Sequence, residues 1–323
     1  MDFKIKKLPI IIFSAVFLVL LLTSTFFDMQ VTKILVDIPE GSYYSNNLFG
    51  VIGEVIGSFP IYYMIGLAVI CLAIGGAVLK PSLKNIFFII AIVGGFIAMF
   101  IGADDCLKDF ADHSVAYENW QKIFKILLAS AFALAFEIPT IIIVNRFSDE
   151  TKKKLMIFAC VTLVMVVISQ IIIYVLKFMV GRARYKAMNV LGDESLYTPW
   201  YIFNGKRVSQ DPRLIELGVQ SNAYKSFPSG HTASSAAVYA FLCLPYIFDK
   251  FNNKKWKTIL NVSTIAFTGY IAISRIVVGA HFYSDVLFGG TITYLSVFLG
   301  VIIVKAILKK ISNKQKETEK LPQ

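Results

Sequence analysis

Two histidines and an aspartate in this chain stand at the ends of long apolar runs, where ionisable side chains are uncommon. His231 follows Ser229-Gly230 at the start of one run, and His281 and Asp285 lie at the head of another. Positions 281 and 285 are about one helical turn apart, so their side chains share one helix face. A carboxylate at that spacing can accept the imidazole Nδ1–H and leave Nε2 as a free nucleophile.

Basic residues complete a constellation suited to phosphoryl transfer. His231 can act as a general acid toward a leaving oxygen. The Ser-Gly turn before it opens a helix, whose first backbone N–H groups can face an anion. Lys177, Arg184 and Arg275 can neutralise phosphoryl oxygens, and the arginines can do so with two parallel hydrogen bonds. Together these residues supply a nucleophile, an orienting carboxylate, an acid and an oxyanion clamp, and this chemistry requires no metal and no cofactor.

Long apolar segments of the chain carry these residues. Hydrophobic residues make up 56% of the 323 residues and charged residues 16%, whereas a soluble domain carries roughly 25% charge. Runs of about 18 residues or more can cross a bilayer as helices. The predicted spans are 8–27, 53–79, 85–102, 123–144, 155–176, 231–248, 257–274 and 283–304. The expected fold is an all-α polytopic transmembrane bundle of about eight spans.

The charges of the connectors predict the orientation of the bundle. Basic and acidic connectors alternate along the chain, which places both termini in the cytoplasm by the positive-inside rule. The net charge of +11 is explained by these connectors and does not indicate a nucleic-acid partner. The connector 177–230 is the exception, because it is basic although it falls on the external side. We therefore expect an anionic ligand outside the cell membrane.

The chain shows no internal repeat and no second soluble domain. We predict a single membrane domain over 1–310, with the chemistry-bearing core at about 155–304 and a polar cytoplasmic tail at 311–323. Four scattered cysteines form no disulfide or zinc pattern.

Several further residues have both a functional and a structural interpretation. The stretch from Trp200 to Lys206 resembles a hairpin around an Asn-Gly turn, and its aromatic side chains suit either the headgroup level or ordinary loop packing. Glu54 and Glu137 lie in or beside apolar runs, where acids are candidates for function. His113 lies among acidic residues of an external connector and is the third histidine of the chain.

The residues around the histidines resemble the signature of the type-2 phosphatidic acid phosphatase (PAP2) family, the membrane lipid phosphate phosphatases. That signature has three parts, K-x6-R-P, P-S-G-H and S-R-x5-H-x3-D. The matching residues occur in this order: Lys177 and Arg184; Pro228, Ser229, Gly230 and His231; Ser274, Arg275, His281 and Asp285. Two departures stand out. Tyr185 replaces the proline of the first motif, and the chain has about two spans more than the six that are common in the family, which suggests an inserted helix pair near spans three and four.

The resemblance implies a role for each matching residue and a helical core shared with vanadium haloperoxidases. His281 would attack phosphorus to form a phosphohistidine, and Asp285 would orient it. His231 would protonate the leaving group and then assist the attack of water. The residues expected to hold the phosphate are Lys177, Arg184, Arg275, Ser229 and Gly230, with Arg182 and Ser274 as auxiliary residues. Known members work without a metal.

We therefore predict a membrane phosphatase that acts on a lipid phosphate or diphosphate at the external leaflet. Undecaprenyl diphosphate is the favoured substrate, and phosphatidylglycerol phosphate and phosphatidic acid are close rivals. A lipid phosphotransferase remains an alternative within this chemistry. From a different class, a transporter or non-catalytic anion-binding membrane protein would also use a basic external site. The expected partners are the substrate lipid and the surrounding membrane lipids, and the sequence does not indicate an oligomeric state.

Overall fold

The computed structural model describes residues 7–111, 120–205, 211–218 and 220–318. These residues form helices and connecting turns without any strand, so the all-α prediction is confirmed. The α-helices in chain order are α1 (Lys7–Leu35), α2 (Leu48–Gly57), α3 (Phe59–Leu79), α4 (Lys84–Ala111), α5 (Lys122–Arg146), α6 (Asp149–Val180), α7 (Tyr185–Leu191), α8 (Pro212–Glu216), α9 (Gln220–Ala223), α10 (Gly230–Ser235), α11 (Leu244–Ile247), α12 (Lys254–Val277) and α13 (Tyr283–Thr318).

Seven helical stretches of the described chain are long and apolar enough to cross a membrane, which makes this a multi-pass membrane protein. They are Ile11–Leu35, Leu48–Leu79, Pro81–Ala111, Lys122–Arg146, Asp149–Leu191, Lys254–Val277 and Tyr283–Lys314. Helix α13 runs on to Thr318, so part of the predicted tail is helical.

The predicted span 231–248 does not form one continuous α-helix. It consists of α10, a 3-10 helix over Ala236–Cys243, and α11. Pro245 stands in the first turn of α11, where its missing N–H interrupts the backbone hydrogen-bond ladder. Seven of the eight predicted spans therefore correspond to long apolar helices, and the remaining one is a broken helical segment.

Helix α3 lies at the centre of the bundle and packs against α4 and α6. Its contact with α4 requires glycine. A Cβ atom on Gly66 would lie 3.3 Å from the carbonyl oxygen of Gly95 and 3.1 Å from Cε of Met99. Such small residues allow close helix approach, which is a main source of attraction between helices in lipid. On its other side, buried side chains of α3, α6, the broken segment and α13 form one apolar cluster.

The outer surface of the long helices carries large apolar side chains. Exposed isoleucines, leucines and phenylalanines occur along α1, α4 and α5, among them Ile12, Ile89 and Leu127. In a soluble protein an apolar surface of this extent would promote association. Here it is the surface that faces lipid tails, which agrees with the hydropathy of the same helices.

One end of the bundle gathers the elements that carry the predicted chemistry. The C-terminal ends of α4, α6 and α12 meet α2 and the N-terminal ends of α10 and α13 there. Residues from all six elements line one cavity or lie directly behind it. Helix α1 also contributes. Its backbone leaves the helical conformation at Phe27, with φ −124° and ψ 17°, and the next residue, Asp28, is almost fully buried at this end.

The predicted hairpin after α7 does not form in the described residues. Residues Trp200 to Gly205 contain no strand, although Gly205 takes the positive φ of 62° that a turn requires. The indole of Trp200 instead stacks near Phe227 and Phe288, with ring centroids 6.2 Å and 4.8 Å away. Loop packing is therefore the correct interpretation for Trp200, while Tyr201 and Phe203 are exposed. Lys206 lies outside the described residues.

Candidate active site

A cavity of about 390 Å³ lies where these helix ends meet. Among the described residues, five basic and two acidic side chains line it, and their net charge is +3 when the two histidines are neutral. The predicted site residues that line it are Lys177, Arg184, Gly230, His231, Arg275 and His281. The other predicted site residues, Arg182, Ser229, Ser274 and Asp285, are buried outside this lining.

His281 lies in the short connection between α12 and α13 and is fully buried. Its Nδ1 is 2.6 Å from the carbonyl oxygen of Ser226. A carbonyl oxygen can only accept a hydrogen bond, so Nδ1 carries the proton and Nε2 of the neutral ring holds a lone pair. Nε2 has no hydrogen-bond partner within the described structure. The ring is therefore held in the tautomer that a nucleophile requires.

Asp285 supports His281 indirectly. Its Oδ2 is 3.8 Å from Nδ1 of His281, which is longer than a hydrogen bond. The same oxygen accepts hydrogen bonds from the hydroxyl of Ser226 and from the backbone N–H of Phe282, the latter at 2.7 Å. The sequence predicts a direct bond from Nδ1 to Asp285. In the structure the Ser226 carbonyl takes that place, and Asp285 fixes the residue that supplies it.

Arg182 bridges two buried carboxylates behind the cavity. Its guanidinium donates to Oδ2 of Asp28 at 2.7 Å and to Oδ1 of Asp285 at 2.8 Å. The ring of Phe282 lies 4.1 Å from the guanidinium carbon, measured to the ring centroid. Arg182 is fully buried and does not line the cavity. These contacts indicate that Arg182 supports Asp285 and does not bind phosphate directly.

Three basic side chains of the predicted clamp face the cavity from different elements. Lys177, in the last turn of α6, donates to the carbonyl oxygen of Lys225 at 2.8 Å. Arg275, near the end of α12, donates through Nη2 to Oε1 of Glu54 at 2.8 Å. Its Nε and Nη1, and Nε of Arg184, are buried N–H groups that the described structure leaves without an acceptor. Phosphoryl oxygens are the acceptors that suit such groups.

The backbone around Arg184 is fixed although Tyr185 replaces the motif proline. Arg184 has the extended conformation of a helix N-cap, and Tyr185 is the first residue of α7, the position at which proline is common. The N–H of Arg184 donates to the carbonyl oxygen of Ala223 at 2.8 Å, and the N–H of Lys186 donates to that of Gly279 at 2.9 Å. These hydrogen bonds constrain the turn on both sides, as the proline ring would.

The Pro-Ser-Gly-His motif forms the start of the broken helical segment. Ser229 is the N-cap of α10, and its hydroxyl accepts from the N–H of Thr232 at 3.3 Å. Its own N–H donates to the backbone carbonyl oxygen of Asp285 at 2.9 Å, which joins this motif to α13. Gly230 and His231 therefore form part of the cavity wall, whereas Ser229, the residue before them, does not line it.

The structure adds residues that motif reasoning did not identify. Nε2 of His231 is 3.0 Å from Oδ2 of Asp109 at the end of α4. The ammonium of Lys186 lies 4.3 Å from the ring centroid of Tyr43, and both residues line the cavity. Asp109 belongs to an acidic connector that the sequence analysis used for orientation alone. No sequence signal pairs it with His231, because the two residues are 122 positions apart.

The other candidate residues from the sequence differ in whether they reach the cavity. The hydroxyl of Ser274 donates to the carbonyl oxygen of Ile271 at 2.7 Å, and Ser274 packs against Gly53 of α2. Glu54 lines the cavity as the partner of Arg275. Glu137 is buried in α5 beside α4 and is not part of the cavity. His113 lies outside the described residues.

The protonation of His281 provides a prediction about pH. Burial lowers the pKa of His281 well below its usual value, and the charges of Arg184 and Lys177 lower it further, although Asp285 opposes them. The unfolded chain binds this proton near pH ~6.5 and the folded chain only at lower pH. We therefore expect the imidazole to stay neutral below pH ~6.5, while protonation of the unfolded chain costs the protein stability as the pH falls through that value.

Imidazole NMR of protein labelled at histidine measures this directly, since the chain has only three histidines. The resonance of His281 is identified by its loss in His281→Ala. A titration midpoint at or above pH ~6.5 would contradict the prediction.

Comparison with known proteins supports one assignment. Residues 158–309 match the family model described as the PAP2 superfamily. The matched segment contains every residue of the three sequence motifs. Neither the curated proteins nor the solved structures contain a match to the chain.

Proposed function

We propose that this chain, whose residues 158–309 match the family model of the PAP2 superfamily, is a membrane phosphatase for a lipid phosphate or diphosphate. The observation that carries this proposal is the state of His281. Its Nδ1–H is bonded to a backbone carbonyl. Its Nε2 has no partner among the described residues and lies beside a cationic cavity. Anion binding alone gives no reason to hold an imidazole neutral in one tautomer.

The proposed reaction proceeds in two steps. Nε2 of His281 attacks phosphorus, and the bond from phosphorus to the leaving oxygen breaks as His231 donates a proton to that oxygen. The phosphohistidine is then attacked by water, from which His231 removes a proton, and inorganic phosphate is released. Arg184, Arg275 and Lys177 stabilise the negative charge on the phosphoryl oxygens in both steps.

The charge of the cavity supports a diphosphate as the preferred headgroup. Lys186 and Lys225 line the cavity in addition to the three basic residues of the motifs. A diphosphate carries more negative charge than a monophosphate, so it gains more from these two additional cations. We therefore favour undecaprenyl diphosphate over phosphatidylglycerol phosphate and phosphatidic acid. The alternation of connector charges supports a site at the external leaflet of the cell membrane.

The test is phosphate release by the purified full-length protein in detergent with excess EDTA. We expect release from lipid phosphates to survive EDTA and to vanish in His281→Ala. Among the substrates, undecaprenyl diphosphate should have the highest kcat/KM. The other substrates in the panel are phosphatidylglycerol phosphate and phosphatidic acid.

Each other outcome changes the proposal in a defined way. Loss of activity in EDTA would contradict metal independence. Transfer of phosphate to an added lipid alcohol in place of water would identify a phosphotransferase. Binding of inorganic phosphate without release from any lipid would favour the transporter or anion-binding alternative.

A further inference from the structure

Three carboxylates from the helices that precede the matched segment each contact a basic or histidine side chain within it. Asp28 of α1 pairs with Arg182, and Glu54 of α2 pairs with Arg275. Asp109 at the end of α4 contacts His231. The first two contacts neutralise buried arginines. The third is of another kind, because its partner is the residue placed to transfer a proton.

The contact between Asp109 and His231 lies at the cavity wall. Oδ2 of Asp109 is 3.0 Å from Nε2 of His231, and the two side chains are 23% and 22% exposed. Both residues line the cavity. Helix α4 precedes the matched segment, so the contact brings a residue from outside that segment to the site.

We propose that Asp109 is a positioning residue that holds His231 in its protonated form for proton transfer to the leaving oxygen. This inference rests on the proposed function. A protonated imidazole carries N–H groups on both nitrogens, so Asp109 can hold one while the other serves the leaving oxygen, as in the carboxylate–histidine pairs of other hydrolases. In the first step the proton moves from His231 to that oxygen, and Asp109 stays ionised throughout.

The other charged groups around His231 disfavour its protonated form, and the contact with Asp109 opposes them. Arg275 on α12 and Lys177 on α6 face the same cavity and disfavour a second positive charge on the ring. Glu54 on α2 is bonded to Arg275, and Asp285 on α13 is bonded to Arg182. Helix α3, which also packs against α10, contains no charged residue. Within the described part of the chain, Asp109 is thus the carboxylate in direct contact with the imidazole.

The pairing also explains how an acidic side chain is compatible with an anion site. An unpaired carboxylate in the cavity would repel a phosphate headgroup, whereas a carboxylate paired with an imidazolium is neutral overall. Loss of the charge at Asp109 should therefore lower kcat without weakening substrate binding. A residue that only supports the fold would not separate kcat from KM in this way.

Asp109→Asn tests the proposal with two substrates, phosphatidic acid and p-nitrophenyl phosphate. General acid catalysis contributes about 10²–10⁴-fold, so we expect kcat for phosphatidic acid to fall about 10-fold or more, with KM unchanged or lower. The alkaline limb of its pH profile should move to lower pH. The nitrophenolate leaving group needs no proton, so the rate with p-nitrophenyl phosphate should change little.

Matched variants complete the experiment. Asp104→Asn removes the same charge from the same helix at a residue that pairs with Lys108, and it should leave both rates unchanged. In a His231→Ala background, Asp109→Asn should cause no further loss, since the two residues act as one unit. Asp109→Glu keeps the carboxylate and should retain the pH profile, which provides a second variant if Asp109→Asn does not fold.

The inference is overturned if Asp109→Asn slows the reactions of both substrates equally or leaves kcat for phosphatidic acid unchanged. It is also overturned if Asp109→Asn lowers the rate further in the His231→Ala background. A different result would refute the proposed function itself. In that case the wild-type protein would release no phosphate, or His281→Ala would remain active.

Discussion

Replacement of His281 by alanine is expected to reduce phosphate release by ~10⁴-fold or more, because the variant lacks the atom that bonds to phosphorus. Nε2 of His281 is buried beside the cationic cavity, and no other described residue presents a partner to it. Brief incubation with a ³²P-labelled lipid phosphate and quenching in alkali, in which phosphohistidine survives, should trap labelled wild-type protein. The same treatment should leave His281→Ala unlabelled.

Binding of inorganic phosphate provides the control for this variant. The five basic side chains of the cavity remain in His281→Ala, so phosphate should still raise its melting temperature in detergent. Loss of activity with retained binding identifies a chemical defect. Full activity of His281→Ala would exclude it as the nucleophile, and labelled His281→Ala protein would place the covalent intermediate on another residue.

Replacement of Arg182 by methionine should cause the largest loss of stability. Methionine fills similar space but leaves Asp28 and Asp285 buried without their counter-ion. Removal of one member of a buried ion pair costs about 3–5 kcal/mol, which corresponds to a fall of roughly 10 °C in melting temperature for a protein of this size. Activity should fall as well, because Asp285 fixes Ser226, the residue whose carbonyl holds His281.

Arg213 offers a matched control on the surface. It also bridges two aspartates, Asp193 and Asp211, but its side chain is 51% exposed. Water screens such pairs, so Arg213→Met should leave the melting temperature almost unchanged. Adding Asp28→Asn to Arg182→Met should restore part of the lost stability by removing one uncompensated charge. Equal melting temperatures for Arg182→Met and Arg213→Met would contradict this account of the buried network.

The sequence predicts the helical class and the set of residues that meet at one end of the bundle. Hydropathy locates long helices well, since lipid requires every backbone polar group to be bonded within its own segment. It reports the length of an apolar run but not its hydrogen-bonding pattern, so the broken segment from Gly230 to Ile247 was predicted as one span. The Asn-Gly pair at 204–205 likewise indicates a turn, but it carries no information about how Trp200 packs.

The contacts that organise the site were not predictable from local sequence. Arg182 and Asp28 are 154 positions apart, and Arg275 and Glu54 are 221 apart. Motif spacing identifies residues within one helix turn or one loop, whereas these pairs depend on how separate helices pack. The family resemblance named Arg182 only as an auxiliary residue of the phosphate site, and the structure buries it between two carboxylates.

The positive cavity also affects how a catalytic cycle ends. In the proposed reaction the product, orthophosphate, is an anion like the headgroup it came from, so Lys177, Arg184 and Arg275 would attract it as well. Glu54, which is paired with Arg275, offsets part of this positive charge and so weakens the retention. This carboxylate would therefore favour departure of the product, at some expense to the initial capture of the substrate. Turnover in such a site depends on a charge high enough to recruit the substrate and low enough to let phosphate leave.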